Sequence, residues 1–567
     1  MMKIFTKKRK FFLIFLLLFV TTIFLRFAYA KISPPSPYWE EVALGYDAYS
    51  IEQTGKDHHG NAWPIVAFES FGDWKPSLYF YSMIPFVHFL GLTLEALRLP
   101  SRLAGVAIVF GVAFLVSQLM QASQRYRKYH HWGFFIAAFL TALAPWAVMF
   151  SRAAWESNLA TALVLWAVNF FLLFGRAFDE KKKNHWLFLL LSVLFFVASM
   201  YCYHATRMSA PLIAFLLALS WWRKEKTWRS FVTLLPAAAV ALLLLLPILF
   251  SLQSNVTQQR FAETSIFSNL ELIEKSNLAK SEAGNTVFAR FRYHRYWYFA
   301  GEIGQNVLKH FSPSYLFLHG DPNPRHSSQV VGEFYWLDAA FFLLAIFLLI
   351  RRRFELLLPL ACAFLAILPA SLTTATPHAL RSLLALPFLE VLLSFSVLEF
   401  FLFIRKKNFS LWFLAFCIFL YTAQTFYFFQ DLIKYYPQRS ESEWQYGYQQ
   451  LFQTLEPLAE TGNPVFVSRE IGRPAMYLWF YSKMDPRLVQ AADAAVPQDQ
   501  AEFLQFANWH FVRDWSELRG QKAAFVALTA KENESFLQNF ADLQLTEIGQ
   551  ILSLEQKPIW FIYQLGN

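Results

Sequence analysis

Charge is what this sequence has least of. Only 16% of its 567 residues are Asp, Glu, Lys or Arg, against roughly 25% in an average soluble protein. Phe (63), Tyr (24) and Trp (19) stand in their place, more apolar surface than a soluble core of this length hides. That composition excludes intrinsic disorder. With 20 glycines in all, it also excludes a collagen-like fibre. The three cysteines, Cys202, Cys362 and Cys417, lie inside apolar runs with no CxxC or metal spacing. They exclude a disulfide scaffold and read as small buried hydrophobes. No GxGxxG loop, Walker loop, zinc spacing or internal repeat occurs. A polytopic membrane protein remains, in line with a mean hydropathy of +0.32.

The net charge of +10 does not point to nucleic acid, because the basic residues sit in short clusters between apolar runs, as the positive-inside rule expects of cytoplasmic loops. Lys7-Lys8-Arg9-Lys10 precedes an apolar run from Phe11 to Ala30, about 20 residues, enough to cross ~30 Å of hydrocarbon. Further runs fall at 78–97, 102–121, 132–150, 156–176, 186–204, 207–222, 230–252, 334–350, 355–372, 379–403 and 411–429. The clusters at Arg125–Lys128, Lys181–Lys183, Arg223–Lys226, Arg351–Arg353 and Arg405–Lys407 are then cytoplasmic, with two spans between neighbours. Parity allows one crossing between loop 31–77 and Arg125. The run 78–97, interrupted by Pro85 and bearing His88 and Glu95, is therefore expected to lie along the membrane or re-enter. The expected fold is mainly α: a membrane helix bundle of about eleven spans plus juxtamembrane helices, N-terminus inside, over residues 1–430. Residues 431–567 have soluble composition and are expected to form a small extracytoplasmic α/β domain. Its expected strands are 464–468, 523–528 and 559–563, with helices over 441–458 and 532–540.

The outer face then collects loops 31–77, 151–155 and 253–333. Loop 31–77 is dense in carboxylates: Glu40, Glu41, Asp47, Glu52, Asp57, Glu69 and Asp73. In a helix over 38–53, Glu40 and Asp47 share a face and Glu41 points about 100° away. Val42, Leu44, Tyr46 and Tyr49 suggest that this helix rests on the membrane surface. A carboxylate in a partly dry cleft just outside the bilayer is a good general base; the alternative is a solvated acidic loop. Lys75, beside Pro76, either snorkels to the interface or holds a lipid-borne phosphate. Arg152, His204 with Arg207, and His378 with Arg381 lie at outer ends of spans, where the positive-inside rule disfavours Arg, and together they suggest an anionic ligand. Asp57 with His58 and His59, and His319 with Asp321 and His326, are the metal-ligand candidates, though neither spacing is standard. A divalent cation is accordingly the one cofactor candidate.

The segments WEEVALGYDAYSI, GDWKPSLYFY, LPSRLAG, APWAVMFSRAAWESNLA, YCYHATR, HFSPSYLFLHGD and PHALRS, taken in order over roughly 38–430, resemble bacterial members of glycosyltransferase family 39, the dolichyl-phosphate-mannose–protein mannosyltransferases. The resemblance implies a GT-C membrane fold with juxtamembrane helices in the first outer loop. It also implies inverting transfer of a sugar, hexose or pentose, from a polyprenyl-phosphate carrier to an acceptor hydroxyl on the outer face of the plasma membrane. The acceptor is a protein, a lipid or an envelope glycan. The family's Asp-Glu motif falls on Glu40-Glu41, so the position usually held by Asp, the base, is Glu40; Glu41 and Asp47 stay as alternatives. Lys75 of the KP motif is implied as a phosphate ligand, with Arg152, Arg207 and Arg381 as partners for the carrier phosphate. Asp57, His58, His204 and His378 are further candidates for substrate contact. Two other functions compete: a transporter or flippase for a lipid-linked or anionic substrate, and an assembly factor that works through its C-terminal domain. Transporters place their charges at the bilayer midplane and often repeat their halves. Neither feature is present here.

Overall fold

The computed structural model describes residues 2–251, 265–404, 410–493, 495–499 and 501–566. The start of the expected loop 253–333 and the Arg405–Lys407 cluster lie outside the described residues. The chain divides into two compact units, residues 1–28 with 101–429, and residues 29–100 with 430–567.

The first unit is the membrane bundle. Among the described residues eight helices are long and apolar enough to cross a membrane, or nine if the bent pair Arg127–Leu143 and Pro145–Ser151 is one span. Eleven were expected. The two that fall short are helical but carry less apolar length. Asp338–Ile350 has 13 residues, about 20 Å at 1.5 Å per residue. Thr206–Glu225 is apolar only between Arg207 and Arg223. In chain order the elements used below are α1 (Met2–Phe27), α2 (Trp39–Thr54), α3 (Leu78–Leu90), α4 (Leu94–Ala122), α5 (His130–Leu143), α6 (Pro145–Ser151), α7 (Glu156–Asp179), α8 (His185–Cys202) and α9 (Thr206–Glu225). The run 78–97 is not one helix. Pro85 is accommodated within α3, and the break comes at Gly91, whose φ of 70° suits a residue without Cβ. Several polar side chains inside the bundle find partners on neighbouring helices. Asn158 Nδ2 donates to the Ser101 carbonyl at 2.7 Å, and Tyr421 donates to Asp338, as buried polar groups require.

The second unit joins the first outer loop to the C-terminal segment. Its centre is a six-stranded sheet in the order β6-β7-β3-β8-β10-β9. The strands are β3 (Val465–Ser468), β6 (Gln505–Phe506), β7 (Trp509–Val512), β8 (Ala524–Thr529), β9 (Leu545–Leu552) and β10 (Pro558–Leu565), while β4 (Gln498–Asp499) and β5 (Glu502–Phe503) pair only with each other. β3 runs parallel to β7 and β8; the remaining pairs are antiparallel. β3 and β8 are buried along their whole length, as central strands with parallel neighbours are. All three expected strands are present. The helix expected from Glu441 begins at Tyr448, because Gly447 at φ 107° occupies the N-cap in a left-handed conformation that ends any helix entering from 441. In the loop, β1 (Ala67–Ser70) and β2 (Asp73–Pro76) form a hairpin whose turn residues Phe71 and Gly72 both have positive φ, the geometry of a two-residue hairpin turn. α2 does not present an apolar stripe to the surroundings. Val42, Ala43, Leu44, Tyr46, Ala48 and Ile51 are all buried, covered by α3 and by the helices Pro474–Tyr481 and Pro486–Ala492. Apolar residues spread over several faces of a helix call for protein cover on several faces.

Candidate active site

The first turn of α2 sorts its two carboxylates by burial. Glu41 is sealed in: its carboxylate accepts two bonds from Arg98, Nε and Nη2, both at 2.9 Å. It also accepts the Tyr38 N–H at 3.1 Å, which caps the helix. Arg98 is itself fully buried and donates on to the Ser36 carbonyl at 2.9 Å, its guanidinium 5.9 Å above Trp444. Glu40 keeps 30% of its side chain exposed and sits 2.7 Å from Lys75 Nζ. The hairpin sets this pair, since register places Lys75 opposite Phe68 on a buried strand end. Arg473 stacks on the same corner, 5.7 Å over Trp39 and 5.1 Å over Phe71.

Asp47, two turns further on, belongs to a different network. Its Oδ1 holds both the backbone N–H of His58 at 3.0 Å and ring Nδ1 at 2.7 Å, with Asp47 and His58 both buried. Burial alone would lower the His58 pKa, but the charge and hydrogen bond of Asp47 reverse this and raise it. Asp57 accepts from Asn61 N–H and Nδ2 at 2.8 and 3.0 Å. Burial, followed by repulsion from Asp47, pushes its carboxyl up. His59 pairs with Asp493 at 2.6 Å. Gln490 Nε2 reaches Ser50, Thr54 and the Asp57 carbonyl at 2.9–3.0 Å. Asp57, His58 and His59 thus hold separate partners and do not converge as metal ligands.

In the membrane unit Arg152 is buried, its guanidinium capping the end of α1 through the Leu25 and Ala28 carbonyls at 2.8 and 2.9 Å. His204 lies on the turn between α8 and α9 and Arg207 in the first turn of α9, where its Nε donates to the Met200 carbonyl at 3.1 Å. His378 and Arg381 come to a further cluster. Asp321 Oδ2 is 3.1 Å from His326 Nδ1 and 3.8 Å from His378 Nδ1, and it accepts the Ala379 N–H at 2.6 Å. Among the described residues, this trio places one ligand atom each within 4.8 Å of one another. The third member is His378. His319, expected there, is exposed and bonded to Ser314. The geometry suits a divalent cation: His378 Nδ1 is buried and makes no hydrogen bond. Burial, with His326 and Arg381 adding to it, pushes the His378 pKa down to about 2, and a neutral imidazole is the ligating form. Burial would raise Asp321, but the His326 hydrogen bond and the nearby imidazoles lower it on balance. Glu333 accepts the Asp321 N–H at 3.0 Å; burial pushes its own carboxyl well up. His310 donates Nδ1–H to the Asn306 carbonyl at 2.8 Å and accepts the His378 N–H on Nε2 at 3.2 Å.

Arg98, Asp493, His310 and Glu333 were not foreseen. Of these, only Arg98 left a signal, as an arginine at the junction of two apolar runs, where it has to find a partner.

No protein-family model and no curated protein matches the chain. Solved structures do. The crystal structure of ArnT from Cupriavidus metallidurans bound to undecaprenyl phosphate is similar over 97% of this chain and 98% of that one, at a TM-score of 0.51 and 11% identity. The archaeal oligosaccharyltransferase AglB from Archaeoglobus fulgidus, in complex with an inhibitory peptide and a dolichol-phosphate, matches over 93% of this chain and 70% of that one, at 0.45 and 11%. The ArnT likeness runs the whole length of both chains. The chain shares the fold of that ArnT structure, a mainly α membrane helix bundle with a small C-terminal α/β domain.

Proposed function

We propose that this protein is a membrane glycosyltransferase that moves a sugar from a polyprenyl-phosphate donor to an acceptor hydroxyl, with inversion at the anomeric carbon. The pairing of half-exposed Glu40 with Lys75 at 2.7 Å carries the reading: a general base and a phosphate-binding cation are held together on a fold shared with a structure solved with undecaprenyl phosphate. The other carboxylates are less suited to the task. Glu41 is committed to Arg98 and Asp47 to His58, so neither is placed to take a proton from a substrate.

The chemistry needs few parts. The donor phosphate draws Lys75 away from Glu40. The released carboxylate accepts the proton of the acceptor hydroxyl as its oxygen attacks C1 from the face opposite the phosphate. The C1–O bond to phosphate breaks and its electron pair leaves on the polyprenyl phosphate, whose growing charge Lys75 stabilises. Arg207 and Arg381, half-buried at helix ends, are further candidates for the carrier phosphate; Arg152 is occupied at the end of α1. The lipid carrier accounts for the lack of a nucleotide-binding loop. A divalent cation held by Asp321, His326 and His378 would supply positive charge in the membrane unit. We place these groups on the outer face of the plasma membrane, with the N-terminus and basic clusters cytoplasmic and residues 431–567 outside; the charge bias of the loops supports this orientation. Family 39 offers a chemical parallel, through the resemblance of the Glu40-Glu41 and Lys75-Pro76 motifs.

The test is a transfer assay in liposomes, with radiolabelled polyprenyl-phosphate sugars and envelope extract as acceptor. Turnover in wild type and its loss in Glu40→Ala support the proposal. Wild type that leaves every donor untouched refutes it.

A further inference from the structure

α7 connects two different environments. His326 of the Asp–His cluster packs against Trp155, just before the helix begins. The 24 residues of α7 then run about 36 Å to an open cavity of about 850 Å3 lined mainly by the far ends of α4, α7 and α9. Leu172, Leu217 and Leu358 give it an apolar wall, and Gln118, Arg127 and Arg176 a polar one.

The carboxylates at its mouth already have ammonium partners: Asp179 pairs with Lys224 at 2.6 Å and Glu180 with Lys182 at 2.5 Å. Arg176 does not share them. Its guanidinium donates to Gln121 Oε1 at 2.7 Å and the Gln118 carbonyl at 3.4 Å, both neutral acceptors, and no ion pair to it occurs among the described residues. Arg127 stands exposed at the rim. Gln118 adds a second demand. Asn169 Nδ2 donates to the Gly111 and Leu165 carbonyls at 3.0 and 3.1 Å, so its Oδ1 must be the atom that accepts Gln118 Nε2 at 2.8 Å. This chain fixes both amide orientations and leaves Gln118 Oε1, on a residue 2% exposed, buried with no donor. A surplus of cations alone is ordinary at the basic end of a membrane bundle. A half-buried guanidinium beside an unmet acceptor in an apolar-walled cavity is not.

We propose that this cavity binds the headgroup of an anionic glycerophospholipid, its phosphate on Arg176 and Arg127, a headgroup hydroxyl donating to Gln118 Oε1, and its acyl chains against the leucine wall. A basic pocket between membrane helices is suited to such a headgroup, and none of its lining residues takes part in the proposed transfer chemistry.

The test uses the full chain in detergent, with binding read as the saturable rise in Tm. Short-chain phosphatidylglycerol should raise Tm and short-chain phosphatidylcholine should not. Arg176→Gln should weaken phosphatidylglycerol binding about tenfold. Arg127→Gln, an exposed change that leaves the fold alone, should weaken it about threefold. Equal responses to the two lipids, or wild-type binding by the variants, overturn the proposal. If Arg176→Gln does not fold, Arg127→Gln decides. Inorganic phosphate matching the lipid at equal concentration assigns the cavity to free phosphate and removes the lipid.

Discussion

The two polar centres of this protein handle charge in opposite ways. In the loop unit several carboxylates are paired one to one with different basic side chains: Glu40 with Lys75, Glu41 with Arg98, Asp47 with His58 and Asp493 with His59. In the membrane unit one carboxylate, Asp321, is ringed by imidazoles, one of which keeps a buried nitrogen without a hydrogen bond. Matched pairs suit a site where a proton or phosphate displaces a partner. Histidines crowded on one carboxylate suit a cation. The difference within α2 is just as instructive: neighbouring residues of the same type differ because only one is shut away from solvent.

That contrast can be broken at several points. The largest effect is expected at Glu40. Glu40→Ala should cut transfer by about 10²–10⁴ with little change in Tm, whereas Glu40→Asp should retain part of the activity; steady-state rates in liposomes check both. Glu41→Ala should act through stability instead. Removing one member of a buried pair costs about 3–5 kcal/mol, seen as a lower denaturation midpoint. Adding Arg98→Leu should recover part of that loss, because the stranded guanidinium is then gone. Asp321→Ala should abolish stoichiometric binding of Zn2+ or Mn2+ measured by titration calorimetry, while Glu40→Ala leaves it intact. Equal binding by both variants would dissolve the distinction between the centres.

The smallest effect is a pH slope. The folded-state pKa of His58 is raised above 6.5. The Asp47–His58 pair therefore stabilises the loop fully below about pH 6.5, the unfolded value, and that contribution is lost as pH rises through the folded pKa. Asp57, His59 and Asp493 face the same imidazole pair and set the background. Hydrogen exchange in 54–61 should rise across that window in wild type, and His58→Gln should flatten the trend.

Much of this was legible without coordinates. The membrane bundle follows from uninterrupted apolar runs, because hydrocarbon admits only backbone whose hydrogen bonds close within the segment. β3, β8 and β10 were readable from their short β-branched and aromatic runs, and α2 from its length. Span count was less legible, because Asp338–Ile350 is apolar but only 13 residues long and the apolar part of α9 is cut short by Arg207 and Arg223. The placement of α2 was misread: its apolar residues suit a membrane surface and a protein interior equally, and only the helices 474–481 and 486–492 distinguish the two.

Composition and local pattern thus determined the solvent of this protein, the position of its helices and the set of ionisable residues from which a site can be built. Tertiary structure alone decided which of those residues is paired with which. Lys75 meets Glu40 across 35 positions, Arg98 meets Glu41 across 57, and His378 reaches Asp321 from another helix end. The energy of a charge depends on its burial and on the distance to its partner, and neither quantity exists until the chain has folded.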